Sequence, residues 1–150
     1  MQPQSSLSNY NHLNFLLLSQ LAVLETRSKG VTKVSRNSKF FKGIITSIKE
    51  KKGEQIISLD LRKIPEAVAD FFIICQASST TQVKAIADFI EYNVKEICGE
   101  VPYKHEGKTT SQWILIDYIS IVVHVMHPEQ RKFYNLEDMW SDAVSQGYDD

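Results

Sequence analysis

A continuous apolar strand followed at once by a helix constrains the fold of this chain more than any other feature. Residues 70–77, DFFIICQA, form a near-continuous apolar run, which is typical of a central strand covered on both faces. Ser79 and Gln82 then form a capping box, and an apolar stripe at helical spacing continues to Gly99. A strand, a helix and a further strand imply a right-handed crossover and a parallel strand pair. The sequence therefore predicts an α/β (α+β) fold, with a small mixed β-sheet flanked by helices in a single domain.

Further elements surround this unit. Ser38 is a plausible N-cap for a helix whose apolar residues run to Ile48 and whose stop is Gly53. Residues 56–61 alternate and predict a first strand, and a polar loop is expected around His105. His127-Pro128 starts the last helix, with proline at its first position.

The chain divides into three expected parts. Residues 1–37 are rich in Ser, Asn and Gln, with Glu25 as the only acid, and predict a loosely ordered extension with one short amphipathic helix around 15–24. A transit peptide or an upstream mis-chosen start codon would give the same composition. The domain is expected over 38–145 and a tail over 146–150. The apolar run at 15–24 is too short to span a bilayer and lacks the pattern of a secretory signal, so the expected location is the cytoplasm, or an organelle matrix if 1–37 is a transit peptide.

Residues 113–126 predict a hairpin with functional side chains on one face. If Ile119-Ser120 is the tip, Trp113 pairs with Met126, and side chains alternate between the faces of the sheet. One face is apolar core. The other, here named the Trp113 face, holds Trp113, Leu115, Asp117, Val122, His124 and Met126. Its composition fits a protein-binding hot spot with polar groups that set register, in which alanine at both Trp113 and Leu115 would leave the fold intact and abolish binding. The alternative is that a helix covers this face, with Asp117 and His124 as an internal pair.

Charge favours a basic protein partner. Residues 1–62 carry ten Lys/Arg against four Asp/Glu, which is +6, and residues 63–150 carry seven against fourteen, which is −7. The acidic part, which includes the Trp113 face, would attract a basic protein rather than a phosphate backbone. The lysines at 49, 51 and 52 could touch RNA, but a solvated helix end is the favoured interpretation.

The sequence does not support catalysis or a metal site. His124 and His127 lie three apart on a strand and so point to opposite faces, without further ligands at suitable spacing. There is no GxSxG, P-loop or GxGxxG motif, and the acids at 60, 70 and 117 form no Asp-x-Asp pair for magnesium. No cofactor is expected. Neither Cys75 nor Cys98 has a CxxC partner, which favours reduced, buried thiols.

Dispersed motifs resemble one known family. They are Asp70-Phe-Phe-Ile-Ile-Cys75, Gln82-Val-Lys-Ala-Ile-Ala-Asp88, Glu106-Gly107, Trp113 to Tyr118, Val123-His124-Val125 and His127-Pro128-Glu129, then Arg131, Phe133-Tyr134, Leu136-Glu137 and Trp140. In this order and spacing the chain resembles the ribosomal silencing factor family, also called Iojap-like proteins, over about residues 38–143.

The resemblance implies a nucleotidyltransferase-like fold without catalytic carboxylates. It implies binding to the large ribosomal subunit through ribosomal protein fourteen, which blocks joining of the small subunit and lowers translation when nutrients are scarce. Homodimers occur in the family, and sequence-specific nucleic-acid binding is not expected. The family's partner-binding motifs place Trp113, Leu115, Asp117, Tyr118, His124, Arg131 and Tyr134 at the interface. An assembly factor without silencing and a residual nucleotidyltransferase are the alternatives.

This chain departs from the family pattern at the hairpin tip. Family members usually carry Gly-Asp where this chain has Ile119-Ser120, which puts the turn geometry in doubt. Met126 replaces a frequent phenylalanine, which is a tolerable change in volume.

Overall fold

The computed structural model describes residues 34–149, so the expected helix around 15–24 lies outside the described residues. In chain order the elements are α1 (Lys39–Glu50), β1 (Glu54–Asp60), β2 (Phe71–Gln76), α2 (Thr80–Cys98), β3 (Lys104–Glu106), β4 (Trp113–Asp117), β5 (Ile121–Met126), α3 (Pro128–Tyr134), α4 (Leu136–Met139) and β6 (Val144–Gly147). None of the helices in this part of the chain has the length and apolarity that a bilayer crossing requires.

The strands form one mixed sheet in the order β3-β4-β5-β2-β1-β6. β2 and β5 are its parallel pair, and the other neighbours are antiparallel. The predicted mixed sheet flanked by helices is therefore confirmed. The parallel partner of β2 is the second strand of the hairpin, because β4 lies one position further out.

Local signals set the helix ends. The Ser38 hydroxyl accepts from Phe41 N at 3.1 Å, and the Ser79 hydroxyl accepts from Gln82 N at 3.1 Å, so both predicted N-caps are confirmed. The Gln82 side chain donates to the Lys51 and Lys52 carbonyls at the end of α1, at 3.5 and 3.4 Å, and so ties α2 to α1.

The end of α1 differs from the expectation in one respect. Lys52, with a φ of 64°, takes the left-handed position, and Gly53 N donates to Ile48 O at 2.9 Å. Glycine is required at 53 because a Cβ there would overlap the Ile48 side chain.

The main core lies between one face of the sheet and helices α1 and α2. Apolar side chains of both helices meet those of the four inner strands, including Phe41, Ile90, Phe71, Ile116 and Val125. Burial of this apolar area is the chief stabilising contribution to the fold. The side chains of the Trp113 face lie on the opposite face of the sheet.

The chain end is part of the sheet. The described part of the tail expected over 146–150 belongs to the domain, because β6 pairs with β1 and Tyr148 N donates to Ile56 O at 2.9 Å. Tyr148 also shares a hydrogen bond of 2.8 Å with Ser58, and the Asp149 carboxylate accepts from Ile56 N at 2.9 Å. All four β6 residues are exposed, so no apolar alternation marks this strand in the sequence.

Candidate partner-binding face

The hairpin has the predicted register. Trp113 pairs with Met126, Leu115 with His124 and Asp117 with Val122. Because successive side chains point to opposite faces, these six side chains share one face of β4 and β5. The structure therefore brings together the residues that the alternation assigned to the Trp113 face.

The Trp113 face is buried in this structure. Trp113 is 5% exposed, Leu115 is 2% exposed and Asp117 is fully buried. The face is therefore covered, as in the alternative interpretation of the hairpin. Tyr134 contributes to this arrangement, because α3 follows β5 directly and places the Tyr134 ring 4.8 Å from the Trp113 ring.

A neutral histidine lies at the centre of the face. Trp113 Nε1 donates to His124 Nδ1 at 3.1 Å, which fixes the proton of the neutral ring on Nε2. Complete burial lowers the pKa of His124 to about 3. The hydrogen-bond partner of this histidine is therefore the indole, where the covered alternative expected Asp117. The Phe72 ring meets the imidazole edge to face at 4.6 Å.

The carboxylate of Asp117 holds the hairpin tip. Its Oδ1 accepts from Ile119 N at 2.7 Å. Tyr118 N donates to Ile121 O and Ser120 N donates to Tyr118 O, each at 2.9 Å. With a φ of 75° at Ile119, the second bond defines a γ-turn in the left-handed region, which is strained for a β-branched residue.

A short strand missed by the sequence reasoning borders the face. β3 occupies part of the expected polar loop and places Lys104 opposite Asp117 and Glu106 opposite Leu115. Lys104 and Glu106 form an ion pair of 3.3 Å beside the hairpin. Gly107 follows with a φ of 95°, and a Cβ there would overlap the Trp113 carbonyl, so the Glu106-Gly107 motif permits close approach to β4.

Arg131 is a clamp between α3 and the sheet. Its Nε donates to Glu137 at 2.8 Å, and its Nη1 donates to the Gln55 carbonyl at 2.7 Å and to Gln76 at 3.3 Å. Its guanidinium therefore joins α3 to the start of β1 and the end of β2. Such bonds hold α3, and with it Tyr134, in place.

Tyr118 is not grouped with the other predicted site residues. Strand alternation places it on the helix-covered side, where its ring meets Phe40 edge to face at 5.1 Å. Its hydroxyl is buried without a hydrogen-bond partner among the described residues, and burial raises the pKa of Tyr118.

The apolar side chains that solvent reaches on α3 and α4 are Phe133 and Met139. Phe133 is 58% exposed and Met139 is 42% exposed, and the Phe133 ring lies 5.1 Å from that of Tyr134. The family resemblance placed Tyr134, and not Phe133, at the interface, whereas Tyr134 is the buried one of the two in this structure. Adjacent helical positions lie about 100° apart, so only one of them can face the sheet.

No metal centre is assembled in residues 34–149, where no group of three or more His, Cys, Asp or Glu side chains could hold an ion.

Comparisons with known proteins agree on one family. The model of "Ribosomal silencing factor during starvation" matches residues 35–150. A ribosomal silencing factor from Halalkalibacterium halodurans is 37% identical over 107 residues, covering 71% of this chain and 90% of the relative. One from Bacillus subtilis is 43% identical over 94 residues, covering 63% of this chain and 78% of the relative.

Organellar proteins and solved structures also match. A mouse protein named for mitochondrial assembly of the ribosomal large subunit is 36% identical over 74 residues, covering 48% of this chain and 32% of the relative. A crystal structure of a Chromobacterium violaceum protein is 33% identical with a TM-score of 0.64, covering 68% of this chain and 83% of that protein. On the extent of the family match and the identity to bacterial members, the chain belongs to the ribosomal silencing factor family.

Proposed function

We propose that this protein binds the large ribosomal subunit through ribosomal protein fourteen and sterically blocks joining of the small subunit, which lowers translation when nutrients are scarce. Family membership carries the proposal, since the match includes the segment that forms the Trp113 face. The net charge of −7 over residues 63–150 complements a basic ribosomal protein. The protein acts in the cytoplasm as a binding protein that makes and breaks no covalent bond.

The site residues have different roles in this proposal. Phe133 is the exposed apolar anchor, and the Lys104–Glu106 pair is the polar rim. Trp113, Leu115, Asp117, His124 and Tyr134 form the layer behind them, and Arg131 fixes α3. Direct contact by Trp113 and Leu115 requires the face to open on binding, because both side chains are buried.

Burial also changes how the site must be tested. Truncating a buried tryptophan or leucine to alanine costs about 2–5 kcal/mol each, and the whole stability of a domain is about 5–15 kcal/mol. The double alanine variant at 113 and 115 is therefore expected to lose much of its stability, so loss of binding by this variant would not separate binding from folding. A surface change on α3 separates binding from folding.

The test is sedimentation of purified ribosomal subunits with the full chain and its variants. The wild-type chain is expected to travel with large subunits and to reduce the amount of joined ribosomes. Phe133→Ser is expected to weaken both effects by about tenfold, as for an apolar contact at an interface. Tyr92→Ser, at a 64% exposed aromatic residue on α2, is the matched control and should behave as wild type. Wild-type chain that stays at the top of the gradient, or full joining beside bound protein, contradicts the proposal.

The name of the mouse relative favours a second candidate, assembly of the large subunit without silencing. This function predicts that loss of the protein causes immature large subunits to accumulate. It also predicts that mature subunits join equally well with and without the protein. The same gradients distinguish the two functions.

A further inference from the structure

We infer that the outer side of α1 and the β6 edge form a second binding surface, a basic groove for the phosphodiester backbone of RNA. It lies on the helix-covered side of the sheet, away from the Trp113 face. A cavity of about 570 Å³ is lined there by Arg36, Asn37, Phe41, Lys42, Ile45, Thr46, Gln146 and Tyr148. A second cavity of about 510 Å³ also reaches Tyr148 and adds Lys49, Lys52 and Gln82, together with Gly53, Glu54, Ile56 and Asp149.

The chemistry of the lining fits a nucleic acid. Lys42 and Lys49 lie seven residues apart on α1, which is about 10 Å along the helix axis. That length spans about three phosphates of one strand at duplex spacing. Asn37, Thr46 and Gln146 can donate and accept hydrogen bonds, as bases and ribose hydroxyls require, and Tyr148 offers an aromatic ring. An acidic peptide would also pair with the lysines, so a polyglutamate peptide is one arm of the test.

The lysines of this region differ from three of the six lysines in the acidic part. Lys84, Lys104 and Lys108 are each neutralised by carboxylates within 3.3 Å. In contrast, Lys42 and Lys52 appear in none of the ion pairs formed among residues 34–149, and both are exposed. Arg36 is held in place, since it donates to Val144 O at 3.0 Å and to the Ser58 hydroxyl at 3.2 Å. The groove thus combines a fixed arginine with uncompensated lysines.

Acidic residues in the lining of the second cavity limit the extent of the positively charged groove. Glu54 and Asp149 line the second cavity, and the Asp149 carboxylate is committed to Ile56 N at 2.9 Å. The first cavity, which Arg36 and Lys42 line, has no carboxylate in its lining. The cations of this surface meet phosphates, which carry no sequence information, so binding should depend little on the RNA sequence. The choice of RNA over another polyanion rests on the proposed function, in which ribosomal RNA would lie next to the docked protein.

The test measures fluorescence anisotropy of a labelled polyuridylate of about 12 nucleotides with the full chain over a range of salt concentrations. Neutralising Lys42, Lys49 and Lys52 together to glutamine should weaken binding by about tenfold and reduce the slope of log K against log salt by about 2. The matched control changes exposed Lys63, Lys95 and Lys132 to glutamine, which alters net charge equally. This control should keep wild-type affinity for the RNA. All variants should have the same thermal unfolding midpoint as the wild type.

Three outcomes would overturn the inference. One is an equal loss of RNA affinity in the groove variant and its control. The second is capture of a polyglutamate peptide as tightly as RNA. The third is tighter capture of phosphatidylglycerol vesicles. Binding of isolated ribosomal protein fourteen is measured in parallel: the proposed function fails if the wild-type chain does not bind it, whereas the groove fails on the RNA measurements alone.

Discussion

Replacement of His124 by asparagine should remove a specific part of the acid sensitivity of this protein. His124 is fully buried and neutral, and its burial lowers its pKa from 6.5 to about 3. Asparagine cannot take up the proton, yet its amide oxygen can accept from Trp113 Nε1 in place of His124 Nδ1. The variant thus removes the titration while keeping the hydrogen bond.

The sign and size of this change in stability with pH follow from proton uptake by the unfolded chain. Between the unfolded pKa of 6.5 and the folded value of about 3, the unfolded state holds a proton on this ring that the folded state does not. Stability from this group is therefore full above the unfolded value and is lost as pH falls through that window. Within this window each pH unit lowers the free energy of unfolding by about 1.4 kcal/mol, so the wild-type chain should lose about 2 kcal/mol of stability by about pH 5. The asparagine variant should lose none of this.

Urea unfolding at several pH values measures the difference. The variant should be less stable than wild type at neutral pH, because the smaller side chain leaves a void. The decisive quantity is the change in this stability gap with pH, in which contributions common to both chains cancel. The two stability curves should converge by about 2 kcal/mol towards about pH 5. Parallel curves would refute the assignment of His124 as a buried neutral group.

Three further substitutions test the geometry around the site. Gly107→Ala should cost at least about 2 kcal/mol in urea unfolding, because the added Cβ overlaps the Trp113 carbonyl at a left-handed φ; wild-type stability would contradict this. Arg131→Met should cost about 2 kcal/mol and speed amide exchange in α3, since the clamp to the sheet is lost; unchanged exchange would contradict the clamp. Ile119→Gly should be more stable than Ile119→Ala by about 1 kcal/mol, the reverse of the usual order, because φ is 75° there; a more stable alanine variant would rule out the strained turn.

Local rules were sufficient where one short stretch carries the whole signal. Ser38 and Ser79 form the expected caps, Gly99 ends α2 in the left-handed region with a φ of 74°, and His127-Pro128 starts α3. Each of these depends on contacts within one helical turn. The hairpin register was equally predictable, because alternation assigns every side chain to a face once the tip is placed.

Long-range pairing and burial could not be predicted in this way. β3 and β6 have three and four residues, lie at the edges of the sheet and have no fully buried residue. They are held by backbone hydrogen bonds, which leave no apolar pattern in the sequence. The Trp113 face had a composition that fits both an interface and a covered layer, so only tertiary structure could show that it is buried.

The register of the hairpin decides which side chains form the Trp113 face, and the tip alone is a poor means of setting it. A slip of one residue would move Trp113 and His124 to the helix-covered side. Ile119 has a strained, left-handed φ in the turn, and the Asp117 carboxylate accepts from its backbone N–H. The stronger constraint is the parallel ladder, in which β5 pairs with β2 from Phe71–Ile121 to Gln76–Met126. This chain can therefore keep the face without favourable turn residues, because the central strand β2, not the tip, holds β5 in register.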